Sequence, residues 1–200
     1  MSLQMWYGYH KMTDTKIPLV DIPLVRARPD NVDHLGLFIG TAVPNAGLTI
    51  PFYRGAVEEG HNIPFECHGK AVIRTARISH RSNEIPWLER HLRMTQLFVA
   101  LGDAPFAMVL APPSPPGVAV PDLARAACVV FPPGHGILLH KGTWHDFPLA
   151  VDKPVTCLTA NSEEVVDALA AMKEPTEMDH GDVFKIDLAA RLGRRLRVPL

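Results

Sequence analysis

From residue 71 onward, short apolar runs alternate with turn residues at intervals of roughly ten, the pattern of a sheet-rich fold. Residues 71–78 mix β-branched and polar side chains and predict a strand. A polar loop covers 79–86, a strand-like stretch 87–93, and a strand 95–101. Gly102-Asp103 predicts a hairpin turn into the apolar run 106–111. Pro112-Pro-Ser-Pro-Pro-Gly117 makes a stiff loop, because proline has no N–H to give to a sheet. One helical turn at 122–125, strands at 126–131 and 137–140, and further strands at 147–151 and 155–160 complete the series. Near the N-terminus, residues 1–16 read as a flexible arm, and 17–25 as an extended edge segment broken by Pro18 and Pro23. A short helix is expected over 30–37 with Asp30 as its cap, then short strands over 38–53. Helices are expected over 165–172 and over 187–196, the second capped by Asp187. Many short strands with few helices predict an all-β barrel or sandwich, and no longer repeat is present.

Two hundred residues suit one domain with a sizeable core. A formal net charge of −1 gives no general attraction to nucleic acid or anionic lipid. No apolar run is long enough to predict a membrane span, and residues 1–14 lack the pattern of a signal peptide. Cys67, Cys128 and Cys157 are odd in number and widely spaced, without a C-x-x-C pair, which suits a reducing cytoplasm. The basic cluster Arg191, Arg194, Arg195 and Arg197 reads as a solvated last helical turn. No G-x-S-x-G elbow, P-loop or H-E-x-x-H motif is present.

The candidate chemistry lies in two stretches, Leu88-Glu-Arg-His-Leu-Arg-Met-Thr-Gln96 and Gly136-Ile-Leu-Leu-His-Lys-Gly-Thr-Trp-His145. Residues two apart on a strand share a face, so Glu89 and His91 enter one cavity if that face points inward. A bend at 92–94 returns Gln96 to the same interior, and Gly142 lets the chain turn back toward His145 after His140. Glu89, His91, Gln96, His140 and His145 are therefore the candidate catalytic set. One carboxylate, one amide oxygen and imidazoles suit a divalent first-row ion such as Ni, Zn or Mn. Without an ion the same groups make a general base, a general acid and an amide clamp. Arg74 or Arg77 offers a fork for a substrate carboxylate, and Tyr53 and Trp144 are candidate pocket walls.

At these residues the chain resembles the ureidoglycolate lyase family, a branch of the cupins. The resemblance is carried by Leu88-Glu-Arg-His91 with Thr95-Gln-x-Phe98, by Pro105-Phe106, Ala111-Pro112 and Pro121-Asp-Leu123, and by His140-Lys-Gly-Thr-Trp-His145 and Leu158-Thr159. It implies a cupin-like β-barrel, of the double-stranded β-helix or jelly-roll kind, over residues 17–160. Residues 161–200 then form a C-terminal helical extension. It also implies a cytoplasmic homodimeric enzyme acting on a small molecule, which releases urea and glyoxylate from ureidoglycolate in purine and allantoin breakdown. A metal in such a site would be held by Glu89, His91 and His140, with Gln96 as fourth ligand, leaving His145 to shuttle a proton. Residues 49–54 depart from the family pattern, which keeps open a cupin isomerase or hydrolase of another hydroxy acid or sugar acid. A non-catalytic small-molecule-binding cupin is the third reading.

Overall fold

The computed structural model describes residues 17–43, 47 and 51–200. The expected arm at 1–16 and part of the stretch 38–53 lie outside them. The strands are β1 (Leu19–Asp21), β2 (Leu24–Arg26), β3 (Gly36–Ile39), β4 (Ala71–Ile78), β5 (Glu84–Ile85), β6 (Trp87–Arg90), β7 (Gln96–Leu101) and β8 (Phe106–Ala111). They continue with β9 (Ala127–Phe131), β10 (Gly136–Leu139), β11 (Trp144–His145), β12 (Leu149–Ala150), β13 (Val155–Ser162), β14 (Met178–His180), β15 (Val183–Asp187) and β16 (Arg195–Arg197). Three short helices are α1 (Pro29–Val32), α2 (Glu163–Ala170) and α3 (Leu188–Leu192).

The strands form three sheets. A five-stranded sheet runs β3-β10-β7-β13-β4, and an eight-stranded sheet runs β14-β15-β6-β11-β8-β9-β2 with β12 also on β8. A small third sheet runs β1-β16-β5. The all-β, jelly-roll expectation holds, but among the described residues the hydrogen bonding does not close into a barrel; the two large sheets face each other instead. Between them lies one core, in which Phe98, Ile137, Leu139 and Cys157 of the first sheet meet Phe106, Met108, Leu110, Val129 and Phe131 of the second. A second core fills the far side of the eight-stranded sheet, where Leu88, Val109, Ala111, Trp144 and Ile186 pack on Ile85 and Leu196 of the small sheet. β8 is thus covered on both faces, which explains why its sequence is continuously apolar rather than alternating. Gly136 permits the close approach of β10 to β7, since a Cβ there would lie 1.9 Å from the Phe98 carbonyl oxygen.

Several local expectations change. Gly102-Asp103 is not a hairpin turn, because β7 and β8 belong to different sheets; the turn carries the chain across the sandwich. Asp30 does not cap α1. Arg28 is the cap residue, Pro29 opens the helix, and the Asn31 side chain accepts the Arg28 backbone N–H. α2 begins earlier than expected, because the Ser162 hydroxyl accepts the Val165 N–H and starts it there. Asp187 does cap α3, but that helix ends at Gly193, in left-handed geometry, and the chain then forms β16. The stretch 161–200 is therefore a sheet-building segment as much as a helical one. Its strand β15 pairs with β6, and β16 lies between β1 and β5. The basic cluster is mostly tied down, with Arg191 on Glu177, Arg195 near Glu84 and Arg197 on Asp21.

Candidate active site

Inward-facing positions are apolar through the middle of the sandwich and become polar at one end. On β6, Leu88 and Arg90 face the second core while Glu89 faces the first. The strand register then sets Glu89 directly opposite His145 of β11 on one side and Lys185 of β15 on the other. His91 follows β6 and packs beside His145, the two ring centroids 5.3 Å apart. Glu89, His91 and His145 are all buried, and one ligand atom from each lies within 4.8 Å of the others. The Glu89 Oε1 is 3.5 Å from the His145 Nε2 and 4.0 Å from the His91 Nε2.

Hydrogen bonds decide which ring nitrogen faces the cluster. The His91 Nδ1–H donates to the Asp182 carbonyl at 2.7 Å, and the His145 Nδ1–H donates to the Thr143 carbonyl at 3.0 Å. A carbonyl oxygen only accepts, so in the neutral rings both Nε2 lone pairs point toward Glu89. Both Nε2 atoms are buried without a hydrogen-bond partner among the described residues. Three lone-pair donors converging in a buried space repel one another unless a cation lies between them. Imidazoles held through their other nitrogen by a backbone carbonyl are the usual arrangement of metal-binding histidines. Burial pushes the His91 imidazole below its ordinary 6.5 and His145 adds to this, against weaker pulls from Glu89 and the Asp182 carbonyl, so the ring is kept neutral as a ligand must be. Burial alone would raise the Glu89 carboxyl, but His145 and His91, whenever they carry a proton, and the fixed ammonium of Lys185 outweigh it and hold the group well below the usual carboxylate range. The trio is a group that could bind a metal ion.

The turn between β10 and β11 is fastened to this place. Gly142 has a φ of +83° and donates its N–H to the His91 carbonyl at 2.7 Å. The bend after His91 is held by Asp182, whose carboxylate accepts the Leu92 and Arg93 N–H groups at 3.0 Å each.

Beside the trio lies a cavity of about 350 Å³, lined by Glu89, Gln96, Arg74, Thr159 and Asn161, with Val165, Val166 and Leu169 of α2 over it. Gln96 Nε2 donates to Asn161 Oδ1 at 2.5 Å, and Asn161 Nδ2 donates to Thr159 Oγ1 at 3.4 Å. This chain fixes the amide of Gln96, whose Oε1 is buried with no hydrogen-bond partner among the described residues. A fixed acceptor and a guanidinium around one void suit a small molecule that carries both a hydrogen-bond donor and an anionic group.

The structure brings together Glu89, His91 and His145, with Gln96 and Arg74 on the same cavity, but not every expected residue. His140 is displaced from the expected ligand set. It follows Leu139, which faces the core, so its own side chain points the other way, and its ring meets the Asp33 carbonyl at 3.0 Å. His145 takes the place expected for it. Arg77 lies on the outer face of β4 and donates to Thr156 Oγ1 at 3.1 Å. Trp144 alternates with His145 and so faces the second core, where its Nε1–H donates to Ser114 Oγ at 2.8 Å and Arg90 stacks 4.6 Å from its ring centre. Tyr53 is half exposed on a short 3₁₀ turn and does not line the cavity. Asn161, Asp182 and Lys185 were not singled out from the sequence, and Thr159 entered only through the Leu158-Thr159 resemblance, with no role in the site. Alternation from Cys157 along β13 points to Thr159 and Asn161; nothing local points to Asp182 and Lys185, which sit in a separate hairpin. The buried thiols of Cys128 and Cys157 are pushed up to about 12 by desolvation, consistent with inert core residues.

No curated protein matches the chain significantly. A family model described as Ureidoglycolate lyase matches residues 46–178, a span that holds Glu89, His91, Gln96 and His145 as well as the cavity wall at Thr159 and Asn161. That is well over half of the chain, which therefore belongs to the ureidoglycolate lyase family.

Proposed function

We propose that the chain releases urea and glyoxylate from ureidoglycolate, in purine and allantoin nitrogen catabolism, at the cavity beside Glu89, His91 and His145. Family membership supports the lyase reaction. The observation that supports the place is the convergence of two buried, unpartnered imidazole nitrogens on Glu89, a carboxylate that also lines a small cavity.

In ureidoglycolate one carbon bears a hydroxyl, a carboxylate and the ureido nitrogen. Cleavage breaks the carbon–nitrogen bond, converts the hydroxyl to a carbonyl, and moves one proton from that oxygen to the departing nitrogen. Arg74, which lines the cavity, would bind the carboxylate through its guanidinium. Gln96 presents Oε1 as an acceptor for a ureido N–H or for the hydroxyl, and Asn161 keeps the amide from turning over. Val165, Val166 and Leu169 of α2 add an apolar wall to the cavity. A divalent ion, with Ni, Zn and Mn the ions its donors suit, would be held by Glu89, His91 and His145, with Gln96 as the proposed fourth ligand, and would supply Lewis acidity to the hydroxyl oxygen.

The 3.5 Å approach of Glu89 and His145 favours a second reading, in which that pair itself holds the travelling proton between Oε1 and Nε2. Chelation separates the two. Loss of glyoxylate release, restored by one added ion, supports the metal reading; full activity in chelator supports the acid–base pair. Glyoxylate formation without urea would refute the lyase assignment altogether.

We also infer a homodimer formed through the outer face of the five-stranded sheet. Strand register lines up Leu37, Leu138, Leu97, Ala160 and Ile73 in one row across all five strands, and Ile73 is 72% exposed. Light scattering of the wild type against Ile73→Lys tests it: a monomer in both would end the idea. A reducing cytoplasm is the inferred compartment, supported by three free cysteines. No helix of the described residues is long and apolar enough to cross a membrane.

A further inference from the structure

Lys185 lies beyond the residues that the family model matches, yet its ammonium touches the buried acid of the candidate site. Its Nζ donates to Glu89 Oε2 at 2.8 Å, and its side chain is 23% exposed against 4% for Glu89. The contact is built into the sheet rather than made by a loose surface chain, because Lys185 and Glu89 are directly opposite in the β15–β6 ladder. The two carboxylate oxygens are thereby divided. Oε2 is taken by Lys185, while Oε1 faces the two imidazoles. The same hairpin also sets the His91 ring through the Asp182 carbonyl.

We propose that Lys185 is a resident counter-cation of this site: a positioning residue that neutralises Glu89 and thereby sets how tightly the trio holds a divalent ion. This rests on the reading of Glu89, His91 and His145 as the cation-binding group. The reasoning is electrostatic. With Lys185 present, one carboxylate serves two cations, and a divalent ion entering the trio meets a fixed positive charge one carboxylate away. In a poorly hydrated site that repulsion exceeds what is gained by holding a single carboxylate torsion. Lys185 therefore favours an exchangeable ion over a permanently bound one, and leaves the acid compensated when no ion is held.

The test is Zn²⁺ affinity, measured on the full chain by competition with a chromophoric chelator. Lys185→Met is expected to bind Zn²⁺ roughly tenfold more tightly than the wild type, or more. Lys185→Arg, which keeps the charge, should stay within about threefold of it. Damage to the fold would loosen the site, so tighter binding is not a result that a merely structural role produces. A second measurement guards against a poorly folding variant: Lys185→Met should have a lower melting temperature than the wild type without metal, and should gain more from saturating Zn²⁺. If the wild type takes up no Zn²⁺ and Lys185→Met does, the proposal is supported. Equal affinities, weaker binding by Lys185→Met, or no uptake by either protein overturns it. Failure of the lyase reading would appear separately, as a wild type that makes no urea from ureidoglycolate.

Discussion

Replacing Asp182 tests whether the C-terminal hairpin holds the candidate site in shape. Its side chain is 5% exposed and receives the Leu92 and Arg93 N–H groups at 3.0 Å each. Hydrogen bonds to a charged group contribute about 1.5–3 kcal/mol each. Leu92 and Arg93 are exposed, so water recovers part of the loss and the lower figure applies, about 3 kcal/mol for the two. Asp182 also has a φ of +55°, a left-handed conformation that aspartate tolerates better than alanine, which adds up to ~1 kcal/mol. Asp182→Ala should therefore lose roughly 3–4 kcal/mol, less than the 5–15 kcal/mol of a typical domain, and remain folded at room temperature. Asp182→Asn keeps the left-handed preference and one acceptor, and should lose about half as much. Urea unfolding measures this directly, as a fall in midpoint of about 1 M or more for the alanine variant. The His91 ring depends on the carbonyl of the same residue, so Zn²⁺ binding should weaken in Asp182→Ala, the reverse of the effect expected for Lys185→Met. Stability within about 0.5 kcal/mol of the parent for both variants, the range of an ordinary surface change, would refute the role given to this residue.

Other outcomes follow from the same geometry. Glu89→Gln should reduce kcat for glyoxylate release by ~10²–10⁴, whereas His140→Ala should lose less than about tenfold, because its ring is occupied by the Asp33 carbonyl; equal losses would restore His140 to the site. Trp144→Phe gives up the bond to Ser114 and should cost about 1 kcal/mol in urea unfolding with kcat and KM unchanged, since the indole faces the second core; a raised KM would place it at the substrate after all. In acid, two losses of stability are expected. His91 has a depressed folded-state pKa, so its contribution is complete above its ordinary 6.5 and falls as pH drops below that. Glu89 is likewise depressed, so a second loss begins below its ordinary 4.5. A urea midpoint that does not change between about pH 7 and 5 would contradict the first, one that does not change between about pH 5 and 2 the second, and His91→Gln should remove only the first stage.

The sequence carried most of the sandwich, because its strands are half-buried and alternate, and the run from Phe106 to Ala111 is apolar on both faces. It carried Glu89, His91 and Gln96 because a strand and a bend near residue 93 fix their common side. It misplaced His140 by one position of alternation: whether a short strand ends before or after a residue decides which face that residue takes, and nothing local sets that end. Trp144 was placed at the pocket for the same reason, since an aromatic beside a site histidine on a strand faces the opposite way. Gly102-Asp103 has the composition of a hairpin turn, but composition cannot say whether two successive strands share a sheet. Lys185 and Asp182 were illegible because their partners are 96 and 89 to 91 residues away, and only the β15–β6 pairing brings them together.

That pairing gives the protein a schedule. β6 is made well before β15, the strand that covers its free edge, so the two meet only after a long intervening stretch has been synthesised. Until then a nascent chain can assemble much of the sandwich with an uncompensated acid inside it and one histidine ring unanchored. A premature stop codon or a protease cut just after α2 would leave the same half-finished state: β-rich by spectroscopy, carrying most of the family-matched span, and without the hairpin that anchors His91 and faces Glu89.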